Sequence, residues 1–137
     1  MKLDIYVNYN RNCLEAFHFY EQNLGGKILF MTTFGQMPDG GNVPEERKDD
    51  IVHGRMAIAG AVLMGADIPN AEPMRSAYLT LTFDRAEEAE KTYALLADGG
   101  QVFMKMEQTS FATRFAMLRD KFGANWMILC ENQDTAS

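Results

Sequence analysis

The sequence predicts an α+β fold built from two tandem βαβββ modules in one domain. Three observations predict it. A strand, a helix and three further strands can be read from the first 67 residues, the same order returns from residue 77, and the stops and turns of the two copies keep nearly constant offsets. Glu15, Ala16 and Tyr20 recur 73 residues later as Glu88, Ala89 and Tyr93, and Gly25 and Gly26 recur 74 later as Gly99 and Gly100. Gly60, Ala61 and Met64 recur only 63 later, as Gly123, Ala124 and Met127. The drop in offset marks about eleven extra residues in the first copy. The expected boundaries are a first module at 1–67, a linker at 68–76 and a second module at 77–137.

Residues 3–9 alternate Leu3, Ile5, Val7 and Tyr9 against Asp4, Tyr6 and Asn8, the pattern of a half-buried strand. Asn12 offers an N-cap with Glu15 three residues on, as in a capping box. Cys13, Ala16, Phe17, Tyr20 and Leu24 then share one helical face. Gly25 and Gly26 stop the helix, because glycine readily takes the left-handed C-terminal conformation. Residues 27–34 return as a strand. Residues 35–50, GQMPDGGNVPEERKDD, are rich in Gly, Pro and charge, have no period, and read as a long mobile loop. Residues 51–59 and 61–67 form a hairpin turning at Gly60, and 68–76 carries two prolines as a linker.

In the second copy, Tyr78, Thr80 and Thr82 alternate with Leu79, Leu81 and Phe83. Asp84 is the expected cap of the next helix, with Glu87 three residues on, and Ala86, Ala89, Tyr93 and Leu96 are its expected inner face. Gly99 and Gly100 end it. Residues 101–107 form a strand. Residues 109–130 close the module as two strands around a glycine and carry the single tryptophan, Trp126.

Composition narrows the function. Hydrophobic residues make up 47% of the 137 and charged residues 23%, enough for a packed core. Thirteen basic against nineteen acidic residues leave a net charge of −6, which repels nucleic acid and anionic membranes. No apolar run approaches the roughly 20 residues that span a bilayer. The start MKLDIYVNYN bears a charge at Asp4 and no small-residue cleavage pattern, so no signal peptide is expected and the cytoplasm is the expected location. Cys13 and Cys130 form no CxxC and no Cys/His cluster, and free thiols are the simpler reading. The ten methionines read mainly as flexible core filler, a residue type also common on adaptable binding surfaces.

A set of residues spread over nearly the whole chain carries a family resemblance. It comprises Asn12, Cys13, Glu15, Ala16, Phe17, Phe19 and Tyr20; Leu24, Gly25 and Gly26; Gly35, Met37 and Pro38; His53; Gly60, Met64 and Asp67; Gly99 and Gly100; and Thr109, Phe111, Ala112, Phe115, Asp120, Lys121, Phe122, Gly123, Trp126 and Met127. The chain thereby resembles the vicinal oxygen chelate superfamily, which includes glyoxalase I, extradiol dioxygenases and fosfomycin-resistance proteins. Within it the match is to the PhnB-like branch, often labelled as a 3-demethylubiquinone methyltransferase domain. The branch usually shows Thr-Phe-Trp-Ala where this chain has Thr109, Ser110, Phe111 and Ala112, so its aromatic pair is reduced to one. The resemblance implies glyoxalase-like modules, each a curled mixed sheet with one helix, together forming a central cavity. The methyltransferase label has no support, because no Gly-rich turn follows the first strand to let backbone approach a nucleotide-type cofactor.

Metal enzymes of the superfamily place one His, Gln or Glu on each of four strands. Carried over by Tyr20 and the turn glycines, those positions fall near Ile5, Met64, Tyr78 and Ile128. None is a usual ligand for a divalent ion. No metal and no cofactor is therefore expected. His53 is the candidate for catalysis, against the simpler reading of a strand-edge histidine bonded to a carbonyl. Tyr6, Asn8 and Tyr78 lie opposite the leucines of their strands and are candidates for an inner, ligand-facing surface. Thr109, Phe111, Arg114 and Trp126 are further ligand candidates, with Arg114 offering its planar fork to an anion. The competing reading makes Phe111 and Trp126 core aromatics and pairs Arg114 with a surface acid. Cys13, at a helix start, is a candidate for a lowered pKa.

The expected function is a metal-free, small-molecule-binding protein, a homodimer with an unknown ligand. The alternatives are a lyase, isomerase or resistance enzyme using His53 or a metal, and a homodimeric interaction protein acting through its dimer surface and residues 35–50.

Overall fold

A computed structural model of the chain describes residues 1–131. Contacts divide it into two units, Met1–Glu72 and a second from Pro73 onward. Each unit is an open four-stranded mixed sheet with one helix on one face.

The first unit runs β1 (Ile5–Tyr9), α1 (Cys13–Leu24), β2 (Lys27–Thr33), β3 (Ile51–Ile58) and β4 (Ala61–Asp67). Its strand order is β1-β4-β3-β2, with β1 parallel to β4 and the other pairs antiparallel. Alternation decides the faces. Val7 and Tyr9 are buried toward α1 while Tyr6 and Asn8 are exposed on the opposite face, as the sequence pattern predicts. Cys13, Ala16, Phe17 and Tyr20 are the buried residues of α1. Each fully buried large apolar side chain stabilises by roughly 1.5–3 kcal/mol. The helix sits close because β4 presents Gly65 beneath it, where an added Cβ would lie 3.1 Å from Cys13 Sγ and the Phe17 ring. Gly25 caps the helix at φ 71° and its amide bonds the Tyr20 carbonyl.

Two expectations for this unit are corrected. Asn12 makes no side-chain capping bond. The N-terminus of α1 is capped instead by Asp67 at the end of β4, whose Oδ1 accepts the Cys13 amide at 2.9 Å and whose Oδ2 accepts the Ile51 amide at 2.7 Å. One buried carboxylate thus ties together the starts of α1 and β3. Residues 35–50 are also built rather than formless. They form three short 3₁₀ segments, Phe34–Gln36, Pro38–Asn42 and Glu45–Arg47, with Asp39, Gly40, Gly41 and Asn42 all at positive φ. Buried Asp50 pins the segment, its Oδ2 accepting from Arg11 Nε at 2.9 Å and Arg47 Nε at 3.1 Å.

The second unit runs β5 (Leu79–Phe83), α2 (Ala86–Ala97), β6 (Gln101–Glu107), β7 (Ala112–Arg119) and β8 (Asn125–Glu131), in the order β5-β8-β7-β6. Only β5 and β8 are parallel. The repeat predicted from offsets is thus a repeat of topology. Asp84 is not the cap of α2. Arg85 holds that position, without a side-chain capping bond, and Thr92 rather than Tyr93 is buried beside Ala89 and Leu96. The two hairpins also differ. Ile58 pairs directly with Ala61 across Ala59 and Gly60, both at positive φ, whereas five residues join Arg119 to Asn125. Asp120 organises that longer turn. Its Oδ1 accepts the Phe122 and Ala124 amides, each at 2.9 Å, and its Oδ2 accepts Trp126 Nε1 at 2.8 Å. Before β5, Asn125 Nδ2 donates to the carbonyls of Met74 and Ala77, each at 3.1 Å, so the segment from Pro73 is stitched to the second sheet.

Candidate functional site

The open face of each sheet, away from its helix, is where the fold leaves side chains uncovered. Register places those side chains in rows, because residues directly paired across strands share a face. In the first sheet Tyr6 pairs with Met64, Met64 with Arg55, and Arg55 with Phe30. The next row holds Asn8 beside Ala66 and His53 beside Thr32. The His53 ring stacks on Tyr6 at 6.1 Å and 22° and tilts against Phe30 at 5.5 Å. The Arg55 guanidinium lies over Phe30, 5.9 Å from the ring centroid. Tyr6 and Phe30 are 50% and 44% exposed, so the two rings leave apolar surface open on this face. Burial, and after it Cys13, raise the Tyr6 pKa, so its hydroxyl stays a donor at neutral pH.

The corresponding row of the second sheet is Thr80, Met127, Met117 and Met104. Three methionines lie side by side there, a soft and adaptable surface. Phe111 is 55% exposed and packs edge-on against Phe115, 5.2 Å away. Tyr78 lines a small open cleft of about 220 Å³ with Arg75, Ser76, Phe103, Arg119 and Asn125. It meets Phe103 edge-on at 6.3 Å, and the Arg119 guanidinium lies over the Phe103 ring, 5.2 Å from its centroid.

The sequence candidates therefore separate. Tyr6, Asn8 and His53 come together on one face. Tyr78 lies in the cleft of the second unit. Trp126 is 2% exposed, faces α2 and bonds to Asp120, so its place is in the core. Arg114 projects to the helix side, where its Nε donates to Glu90 at 2.8 Å. The Thr109 hydroxyl accepts the Phe111 and Ala112 amides at 3.4 and 3.1 Å and shapes the turn into β7. Cys13 is fully buried, and burial, reinforced by the Asp67 carboxylate, drives its pKa upward, opposite to the effect of a helix N-terminus. Both cysteines are free thiols. Arg55, Phe30 and the methionine row were not among the candidates. Alternation along VHGRMAI puts Arg55 on the His53 face, but Phe30 reaches it only through the bulge between Ile28 and Phe30.

Two of the four positions carried over for a metal need a change of frame. Ile128 is fully buried and pairs with Leu81 on the helix side, and Ile5 pairs with buried Leu63. The open-face residues of the outer parallel pairs are Tyr6 with Met64, Asn8 with Ala66, Thr80 with Met127 and Thr82 with Leu129. None offers imidazole or carboxylate. Among the described residues no three His, Cys, Asp or Glu side chains gather within reach of one ion. The residues present do not fit the superfamily's divalent metal.

Comparison with known proteins then decides the family. The model of the glyoxalase/bleomycin resistance protein/dioxygenase superfamily matches residues 2–128. The chain belongs to this superfamily. Protein YjdN of Escherichia coli (strain K12) is 30% identical over 138 residues, spanning 93% of this chain and 94% of that protein. Among solved structures, protein PA1353 from Pseudomonas aeruginosa is 36% identical with a TM-score of 0.84, covering 96% of this chain and 98% of that one. A Bacillus cereus PhnB protein, labelled 3-demethylubiquinone-9 3-methyltransferase, matches at TM-score 0.81 and 21% identity over 95% and 99% of the two chains, a likeness of fold. PhnB-like proteins are thus among the structural neighbours of this superfamily member. No helix among the described residues is long and apolar enough to cross a membrane.

Proposed function

We propose that the chain is a PhnB-like small-molecule-binding protein that works without the superfamily's metal, as a homodimer in the cytoplasm. One observation carries the reading. The open-face positions of both outer strand pairs hold Tyr6, Asn8, Met64, Ala66, Thr80, Thr82, Met127 and Leu129, which can contact a ligand but cannot hold a divalent ion. In the first unit the half-exposed Tyr6 and Phe30 rings supply apolar contact area. Tyr6 and Asn8 are the first-module ligand residues of this reading, and Tyr78 and Phe111 those of the second.

A thermal-shift screen of small carboxylates, phosphonates and amides in EDTA tests it. A compound that raises the melting temperature of the parent protein in EDTA, but not that of Tyr6→Ala, supports the reading. A rise that appears only after Mn²⁺ or Ni²⁺ is added contradicts it.

His53 carries the second reading, a metal-free enzyme. The observation that favours it is the imidazole held between the Tyr6 and Phe30 rings on the uncovered face. His53→Ala would then abolish turnover and leave melting nearly unchanged.

A further inference from the structure

We infer that Arg55 is an anion anchor, so that the open face of the first sheet takes a small carboxylate carrying a planar apolar group. The inference deepens the binding role just proposed and rests on it.

Four other cations of the unit have partners. Arg11 and Arg47 both bond to Asp50, Lys48 Nζ donates to the Gly40 carbonyl at 3.1 Å, and Lys2 lies 3.8 Å from Asp4. Arg55 makes no hydrogen bond or ion pair among the described residues, and its Nε is buried without an acceptor. A buried donor left without a partner is destabilising, and more so when it belongs to a charged group. The stem is held by Met64 and Phe30 on either side in register. The guanidinium is thus positioned on a ring but not electrostatically satisfied. In a chain of net charge −6 that is a local exception to a surface that repels anions.

The neighbours define the rest of the ligand. Tyr6 and Asn8, on the same face, bring a hydroxyl and an amide that can donate to an oxygen. The Tyr6, His53 and Phe30 rings present flat apolar surface beside the charge. Asp4, just before β1, is engaged with Lys2. A guanidinium fork binds a carboxylate with planar, directional bonds, and a flat group attached to that carboxylate would lie on the rings.

The test is a titration of isotope-labelled protein followed by amide NMR, with benzoate and its uncharged counterpart benzamide as probes. Benzoate is expected to give saturable shifts at the amides of Tyr6, Phe30, His53 and Arg55. Arg55→Met keeps the unbranched stem and should weaken benzoate about tenfold, the loss of one charge-assisted bond. Benzamide should bind both proteins alike. Arg55→Lys keeps the charge without the fork and should fall between, which also guards against a folding defect in the Met variant. Equal benzoate affinity in all three proteins, with shifts at these amides, overturns the anion anchor and leaves the binding role standing. Saturable shifts confined to other strands overturn the anchor and remove the first sheet's open face from the binding role.

Discussion

Asp67 shows what a single residue contributes to this fold. It is 3% exposed, yet its carboxylate satisfies two backbone amides that begin different elements. Asp67→Ala leaves both N–H groups buried and unpaired, and should cost about 3 kcal/mol, read as a lower denaturant midpoint. Burial raises its pKa above the ordinary 3.8 in spite of those two bonds and the nearby Arg47. The sign follows. The folded state holds this proton more tightly than the unfolded state, so the contribution is greatest below about 4 and falls as pH rises through the raised value. Asp67→Asn removes that dependence. The stability of the parent minus that of Asp67→Asn should therefore shrink as pH increases from acid to neutral, and a constant difference would contradict this. Cys13 and Cys130 are buried thiols. Iodoacetamide should leave the native protein unmodified and add two groups once it is denatured, counted by mass spectrometry.

At the scale of elements, local chemistry was readable and distant chemistry was not. Alternation in β1 places Tyr6 and Asn8 opposite Val7 and Tyr9, and the helical spacing of α1 identifies its buried face, because both patterns depend only on neighbouring residues. The cap of α1 is 54 residues away in the chain, so Asn12 and Glu15 were a plausible but mistaken substitute. Residues 35–50 looked formless for the same reason. Their order comes from Asp50 receiving Arg11, 39 residues earlier, and from a run of left-handed residues that composition reads as flexibility. The site divides likewise. Tyr6, Asn8 and His53 follow from alternation, whereas Phe30 depends on a bulge and Arg55 on register. Trp126 and Arg114 were attractive as ligand residues by type, but their strand parity turns them toward α2. One element-level prediction concerns helix packing. Gly65→Ala pushes a methyl against Cys13 and Phe17 and should destabilise by about 1–3 kcal/mol, measured by chemical denaturation.

For the whole molecule, the repeat produces two sheets of one topology with different chemistry on their open faces. The first carries a cation among aromatic rings, and the second carries three methionines in register. The two copies share the scaffold and the turn glycines but not the surface. Large apolar residues remain exposed on both edge strands, Leu29 and Phe30 on β2 and Val102, Phe103 and Met104 on β6. Such a surface favours association, and light scattering should give twice the chain mass. A mass equal to one chain would remove the homodimer from the account. The central claim is chemical: a superfamily member whose open-face strand positions present tyrosine, asparagine, threonine and methionine, side chains proposed to bind a ligand without a metal. Elemental analysis of protein purified without chelators, from medium supplemented with Mn²⁺, Ni²⁺ and Zn²⁺, tests it most directly. The account predicts far less than one divalent ion per chain. A content of roughly one per chain, retained through dialysis, would contradict it.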